Sequence, residues 1–181
     1  MSITETAPVI PEGSWGVDTV HSSIRFAVTY NGFSRFSGHF TSYDVTLVGG
    51  TEPRLFGTVS GADIQIEDDV LKGVVLGEEF FDVESHPNLS FRSTTLTLDP
   101  AGDVELKGEL SIRGQEVAIV ASGRYAEIGA GLNGKERIGL TLSAAIDRRD
   151  FGLNWDRSLP GGARVLDFDV ALDAQFELTR I

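Results

Sequence analysis

The strongest constraint on the fold is a period-two alternation of apolar and polar residues, which is clearest near the end of the chain. Between residues 166 and 178 mostly acidic or polar residues separate the apolar ones, which are Leu166, Phe168, Val170, Leu172, Ala174, Phe176 and Leu178. Because successive side chains of a β-strand point to opposite faces, this pattern predicts a strand with one buried and one solvated face.

The same alternation predicts about eight strands along the chain. It recurs at 20–30, 104–113 and 138–146, and weaker versions cover 37–48, 54–66, 89–98 and 116–128. Turn signals such as Arg113-Gly114 separate these segments. The apolar face of 89–98 switches after Phe91, which predicts a β-bulge. A helical pattern is visible at 69–79, so we expect one or two short helices in an otherwise all-β protein.

Antiparallel strands with one apolar face each must bury those faces against one another. A β-sandwich and a closed barrel both meet this requirement. A closed eight-stranded barrel also removes exposed edges and leaves room for side chains or for one small ligand. The predicted inner faces include small residues such as Gly108, Ala144 and Ala174, which are compatible with a partly hollow interior. The alternation alone does not choose between the two architectures.

Composition excludes several functional classes. The chain of 181 residues fits one domain and has no cysteine for disulfides or thiolate ligands. Its net charge of −12 argues against a nucleic-acid binder, which needs a basic surface for phosphate contacts. We expect no integral membrane segment, because no apolar run reaches the ~18 residues of a membrane helix. Residues 1–13 are interpreted as a flexible polar tail without a secretory signal, which predicts a single cytoplasmic domain over 14–181.

Candidate catalytic and metal-binding residues are few. The three histidines, His21, His39 and His86, are widely spaced, so we expect structural hydrogen bonds rather than a metal site or another cofactor. His21 and Ser22 are adjacent on one predicted strand and point to opposite faces, which argues against nucleophilic activation between them. The acidic loop around Asp82 is expected to be solvated.

Two features allow both a structural and a binding interpretation. Arg148 and Arg149 either fix a strand end through charge-assisted hydrogen bonds or hold a carboxylate or phosphate of a ligand. The 11 phenylalanines would ordinarily form a filled core, although the same residue type lines apolar ligand channels.

Five short motifs follow one another along the chain. They are WGVDTVHSSIRF at 15–26, GHF at 38–40, FFDVESHPNLSFRST at 80–94, GELSIRG at 108–114 and DRRDFG at 147–152. In this order they resemble the motifs of YceI-like proteins. The resemblance implies an eight-stranded antiparallel lipocalin-like β-barrel, whose apolar channel binds a long-chain isoprenoid or a fatty-chain lipid and which sequesters or transports it.

The resemblance also implies a ligand-binding set: Phe26, Tyr30, Arg35, Phe40, Phe80, Phe81, Phe91, Arg148, Phe151 and Trp155. Of these, Tyr30, Arg35 and Arg148 are expected to meet the polar head. Tyr30 and the segment 74–76 stand where many relatives carry a histidine, so the head-group contacts differ. The resemblance also implies a homodimer.

The alternative function is that of a hydrolase or an isomerase acting on a lipid-like substrate in the same cavity. That function requires a titratable group, such as Asp82, His86 or His21, to face the cavity.

Overall fold

The structure is a computed structural model that describes residues 7–181. Its strands are β1 (Ser14–Val17), β2 (Ser23–Tyr30), β3 (Ser34–Phe40), β4 (Tyr43–Val48), β5 (Arg54–Ser60), β6 (Ile64–Gln65), β7 (Asn88–Leu98), β8 (Asp103–Ile112), β9 (Gln115–Ala130), β10 (Glu136–Asp147) and β11 (Leu166–Arg180). One α-helix, α1 (Asp69–Leu76), and two 3-10 helices, Gly61–Asp63 and Arg148–Phe151, interrupt them.

Eight antiparallel strands close into a barrel, which is one of the two architectures that the alternation allowed and the one that the resemblance predicted. The order around the barrel is β1-β4-β5-β7-β8-β9-β10-β11, and β11 pairs back to β1. The 15-residue strand β11 is long enough to pair with two neighbours on one edge. Its end pairs with β1, where Val17 lies opposite Leu178, and its beginning pairs with β2, where Phe26 lies opposite Leu172. Strands β2, β3 and β6 therefore extend the wall beyond the closed ring.

Three predicted strand segments differ from the structure. The segment 20–30 becomes a strand only at Ser23, because the Asp18 carboxylate accepts the Val20 N–H in a turn. The segment 37–48 is two strands that separate at Thr41, whose N–H and hydroxyl both donate to the Asp63 carbonyl. The segment 54–66 is broken by the first 3-10 helix. The predicted bulge is confirmed as a register shift between Ser93 and Thr95.

Two hairpin loops, the three-residue loop 31–33 between β2 and β3 and the two-residue loop 113–114 between β8 and β9, each contain two consecutive residues with positive φ. Asn31 and Gly32 have φ angles of 53° and 72°, and Arg113 and Gly114 have 53° and 71°. Both central residues of a type I′ turn require positive φ, and this turn matches the twist of the paired strands. The turns fix the register of β2 with β3 and of β8 with β9.

The apolar core forms two clusters along the barrel. The larger one lies away from α1 and includes Trp15, Leu47, Leu140 and Leu178. Ile10 is 1% exposed in the same cluster, and its carbonyl accepts the Gly50 N–H. The packed chain therefore begins before residue 14, because this apolar side chain is buried at the barrel end. The first part of the predicted tail, 1–6, lies outside the described residues.

The second cluster lies at the other end and includes α1. The Asp68 carboxylate caps this helix by accepting the Leu71 N–H at 2.8 Å. The helix ends at Leu76, earlier than predicted, because Gly77 takes an extended conformation as its C-cap. Val75 is its buried residue and belongs to the same cluster as Phe40. Within residues 7–181, no helix is long and apolar enough to cross a membrane.

Candidate functional site: two adjoining apolar cavities

The barrel interior contains a cavity of about 160 Å³, here called the inner cavity. Inward-facing side chains of β5 and of β7 to β11 line it, among them Leu55, Phe91, Leu106, Ala121, Leu142, Ala144, Leu172, Ala174 and Phe176. The alanines leave the space open, because their side chains do not reach the barrel axis. The polar residues at its wall, Ser90, Ser143 and Asp173, are exposed on the outside of the barrel.

Two glycines allow phenylalanine rings to lie close against the wall. A Cβ placed on Gly108 would stand 2.4 Å from the Phe91 ring, and one on Gly38 would stand 2.6 Å from the Phe26 ring. Any larger residue would push these rings away from the strands and into the interior. The glycines therefore hold the rings at the wall and keep the middle of the barrel free.

A second cavity of about 260 Å³, the mouth cavity, lies at the end of the barrel that α1 covers. Its wall is formed by strands, by α1, by the segment that follows α1 and by the segment between β10 and β11. The lining residues include Phe26, Tyr30, Phe36, Leu71, Val74, Phe80, Phe81, Arg148, Trp155 and Leu166. Tyr30, Leu71 and Val74 are at least 40% exposed, so the mouth cavity opens to solvent between them.

The two cavities adjoin one another. Four residues line both of them: Phe40, Leu89, Ile112 and Leu172. Each cavity alone exceeds the ~150 Å³ of an apolar cavity that takes up benzene in another protein. The four shared residues form an apolar boundary between the two cavities, which a ligand chain would have to pass to reach from one into the other.

The paired phenylalanines belong to the wall of the mouth cavity. The Phe81 N–H donates to the Val75 carbonyl at 3.0 Å, so the segment after α1 folds back onto the helix. The Phe81 ring lies 6.3 Å from the Phe40 ring, and the Phe80 ring lies 5.9 Å from the Trp155 ring. Both phenylalanines are half-buried, which is consistent with a wall next to open space.

The structure brings most residues of the predicted set together. Phe26, Tyr30, Phe40, Phe80, Phe81, Arg148 and Trp155 line the mouth cavity, and Phe91 lines the inner cavity. The remaining two residues, Arg35 and Phe151, line neither cavity. Arg35 is exposed, since the inward positions of β3 are Phe36, Gly38 and Phe40. Phe151 is 1% exposed and is packed into the core.

Several cavity residues were not among the predicted set. Val170 and Leu172 were already on the apolar face of the alternation in β11, but nothing in the sequence distinguishes a position facing a cavity from one facing the core. Leu71 and Val74 are apolar residues within the predicted helical pattern at 69–79. Both are lining residues despite being exposed, because the cavity opens beside the helix.

Arg148 is the buried charge of the mouth cavity and is 3% exposed. Its guanidinium donates to three backbone carbonyls: that of Leu153 at 2.6 Å, that of Asp167 at 2.8 Å and that of Leu166 at 2.9 Å. These bonds tie the second 3-10 helix to the start of β11, which is the structural one of the two roles that the sequence left open for Arg148. Burial lowers the pKa of Arg148 below its ordinary value, and the Asp156 carboxylate opposes this effect.

A separate charged cluster lies outside the cavities. Asp18, His21 and Glu177 present possible ligand atoms within 4.8 Å of one another. Arg137 already bonds to both carboxylates of this cluster, to Asp18 at 2.9 Å and to Glu177. Hydrogen bonds from His21 and then Arg137 lower the pKa of Asp18 to about 2. The cluster is an ion-pair network that joins the first turn to β10 and β11.

The titratable groups considered for catalysis lie away from the cavities. His21 is exposed and bonded to Asp18, and His39 is exposed on β3. The His86 N–H donates to the Asp82 carbonyl at 2.8 Å, and the His86 ring lies beside Gly114. None of these residues lines either cavity in the described part of the chain.

A closed eight-stranded antiparallel barrel around an apolar cavity defines the lipocalin-like class of folds. The sequence profile of the YceI-like domain matches residues 15–178. The chain therefore belongs to the YceI-like family.

Known proteins similar to this chain support the assignment. A UPF0312 protein of Staphylococcus epidermidis is 24% identical over 167 residues, which cover 90% of this chain and 95% of the relative. A UPF0312 protein of Vibrio cholerae is 26% identical over 148 residues, which cover 76% of each chain.

Solved structures share the fold at lower identity. BcnA of Burkholderia cenocepacia superposes with a TM-score of 0.77 at 16% identity, covering 89% of this chain and 98% of its own. A polyisoprenoid binding domain from Saccharophagus degradans superposes with a TM-score of 0.70 at 13% identity, covering 92% of this chain and 98% of its own.

Proposed function

We propose that the protein binds a long-chain amphiphile of the isoprenoid type inside the barrel and sequesters or carries it. The observation that carries this proposal is the pair of adjoining apolar cavities that open at the α1 end. Each buried methylene-sized unit contributes about 0.8 kcal/mol, so burial of about ten units corresponds to a micromolar dissociation constant. Transfer of the chain out of water is therefore sufficient for useful affinity.

The comparisons support this proposal in general terms. The Saccharophagus degradans neighbour of the same fold is described as a polyisoprenoid binding domain. A barrel that binds such a chain needs an apolar interior that its own side chains do not fill. In this chain, the apolar lining and the small inward residues Ala144 and Ala174 meet that need.

The alternative, an enzyme acting on a lipid-like substrate, has less support. A general acid or base must lie within hydrogen-bond reach of the reacting group. Asp82, His86 and His21 line neither cavity, and the ionisable side chains that do line the mouth cavity are Tyr30 and Arg148. This arrangement favours binding over catalysis.

The test is native mass spectrometry of the purified protein, followed by organic extraction and identification of the released molecules. We expect a mass excess that extraction removes, and renewed uptake when the delipidated protein is incubated with farnesol. A delipidated protein that takes up no isoprenoid or fatty chain would contradict the proposal.

Two further properties remain part of the proposal. We propose a homodimer, which light scattering coupled to size-exclusion chromatography tests by giving the molar mass in solution. We propose a cytoplasmic location, which cell fractionation with an antibody against the protein tests.

A further inference from the structure

We propose that the ligand carries an acidic head group, a carboxylate or a phosphate ester, and that Arg148 binds this group inside the mouth cavity. This inference rests on the proposed binding of a lipid-like ligand in the barrel, and it adds the chemical class of the ligand's head group. Arg148 is the cationic residue among the described residues that line the mouth cavity, and its neighbours there are almost all apolar.

The hydrogen bonds of Arg148 leave donors for a ligand. A guanidinium has five N–H donors, and the three bonds to backbone carbonyls use one on each nitrogen. Nη1 and Nη2 therefore each keep one N–H group. Two donors on one planar group match the paired oxygens of a carboxylate or a phosphate.

The positive charge of Arg148 is not neutralised by a direct protein partner. Its bonded partners are neutral carbonyls, and no carboxylate of residues 7–181 forms an ion pair with it within 4.0 Å. The nearby acidic side chains already have other partners: Asp147 bonds to Arg149, Asp156 bonds to Arg164, and Asp167 accepts the Phe168 N–H. An anionic head would supply the missing counter-charge, and a buried charge requires such pairing.

The chain provides two matched arginines for comparison. Arg149 and Arg164 stack on the same Phe168 ring as Arg148, at 4.0 Å and 3.9 Å from its centroid against 4.9 Å for Arg148. Both are paired with carboxylates, and neither lines a cavity. They share the chemistry and the local position of Arg148 but not its access to the ligand.

The position of Arg148 also sets the direction of the chain. With the head at Arg148 in the mouth cavity, the tail passes Leu172 and Ile112, which line both cavities, and ends in the inner cavity. In this orientation the apolar end of the ligand lies in the inner cavity and the charged head stays in the mouth cavity.

The experiment compares pairs of probes with the same chain on the delipidated wild-type protein. One pair is farnesyl monophosphate and farnesol, and the other is dodecanoate and dodecanol. Binding is measured by isothermal titration at pH 7. Hydrogen bonds to a charged group predict a preference for the acid of about tenfold to 100-fold. A preference in either pair supports the inference, and equal affinity within both pairs overturns it.

The variants R148Q, R149Q and R164Q assign the effect to one residue. We expect R148Q to lose the preference for the acid while it still binds farnesol, and R149Q and R164Q to keep the preference. A preference that survives in a folded R148Q variant overturns the inference. Because Arg148 also holds three carbonyls, circular dichroism checks the fold of R148Q, and the wild-type probe pairs decide the question if it does not fold.

The outcomes separate this inference from the proposed function. Equal binding of acid and alcohol would leave chain binding in place and remove the head-group assignment. Failure of all four probes to bind would overturn both.

Discussion

Filling the inner cavity tests directly whether the barrel is hollow. Ala144 lines this cavity from β10, and the adjacent Ala145 is exposed on the outside of the same strand. The substitution Ala144→Leu adds three carbons to a position that faces open space. If the space is empty, the added carbons bury without displacing other side chains and the variant becomes more stable.

The expected magnitude follows from the area that the new side chain buries. Three methylene-sized groups at about 0.8 kcal/mol each give an upper limit of about 2.4 kcal/mol. The loss of leucine rotamer freedom takes away about 0.5–1 kcal/mol, which leaves a gain of about 1.5 kcal/mol. For a protein of this size that gain raises Tm by roughly 3–6 °C. The same leucine occupies space that a ligand chain would use, so affinity falls about tenfold or more.

The assay is urea-induced unfolding of the delipidated protein, combined with titration of farnesol. Ala145→Leu is the control, because a surface substitution changes stability by about 0.5 kcal/mol or less and leaves the cavity unchanged. In a filled core the extra carbons of Ala144→Leu would destabilise the protein by about 1–3 kcal/mol. Such a loss, or unchanged ligand affinity, would refute the assignment of the inner cavity as a binding space.

Three other predictions concern the wall, the ion-pair network and the core. Phe81→Ala should lower lipid retention in native mass spectra at a smaller stability cost than Phe151→Ala, whose fully buried ring should cost about 3–5 kcal/mol; equal costs would show Phe81 to be ordinary core. The lowered pKa of Asp18 stabilises the folded state at neutral pH, and this contribution is lost as the pH falls from about 4 to about 2. The difference in free energy of unfolding between wild type and Asp18→Asn, measured by urea titration, should therefore become smaller as the pH falls over that range. A difference that stays constant would contradict the stabilising role of the Asp18 carboxylate. The Tyr125 hydroxyl is buried without a hydrogen-bond partner among the described residues, and burial raises its pKa to about 12. Tyr125→Phe should raise the free energy of unfolding by about 1 kcal/mol in urea, and a marked loss would reveal an unseen partner.

The alternation predicted about eight half-buried strands, because it reports which face of each strand is buried, and the motif resemblance predicted that they close into a barrel. It predicted β11 within two residues at its end, and it located the bulge in β7 from the switch of the apolar face. It did not separate β3 from β4, although the apolar positions switch from even numbers up to Phe40 to odd numbers from Tyr43. The bend at Thr41 depends on the Asp63 carbonyl, a partner 22 residues away that no local pattern reveals.

The sequence predicted which kinds of residue form the candidate site, but not which of them lie next to open space. Alternation and the motif resemblance pointed to Phe26, Phe80 and Phe81 as inner or channel residues, and the structure places all three at the mouth cavity. The same reasoning included Phe151, which is buried in packed core, and Arg35, which points outwards. A sequence pattern gives the face of a residue, whereas the presence of open space depends on the sizes of all side chains that meet there.

The most direct test of the central claim is a high-resolution crystal structure of the protein purified without delipidation. The account predicts continuous elongated density that begins beside Arg148 in the mouth cavity, passes Leu172 and ends near Phe176 in the inner cavity. Side chains that close the space between Arg148 and Phe176, or isolated water peaks in place of a chain, would contradict it.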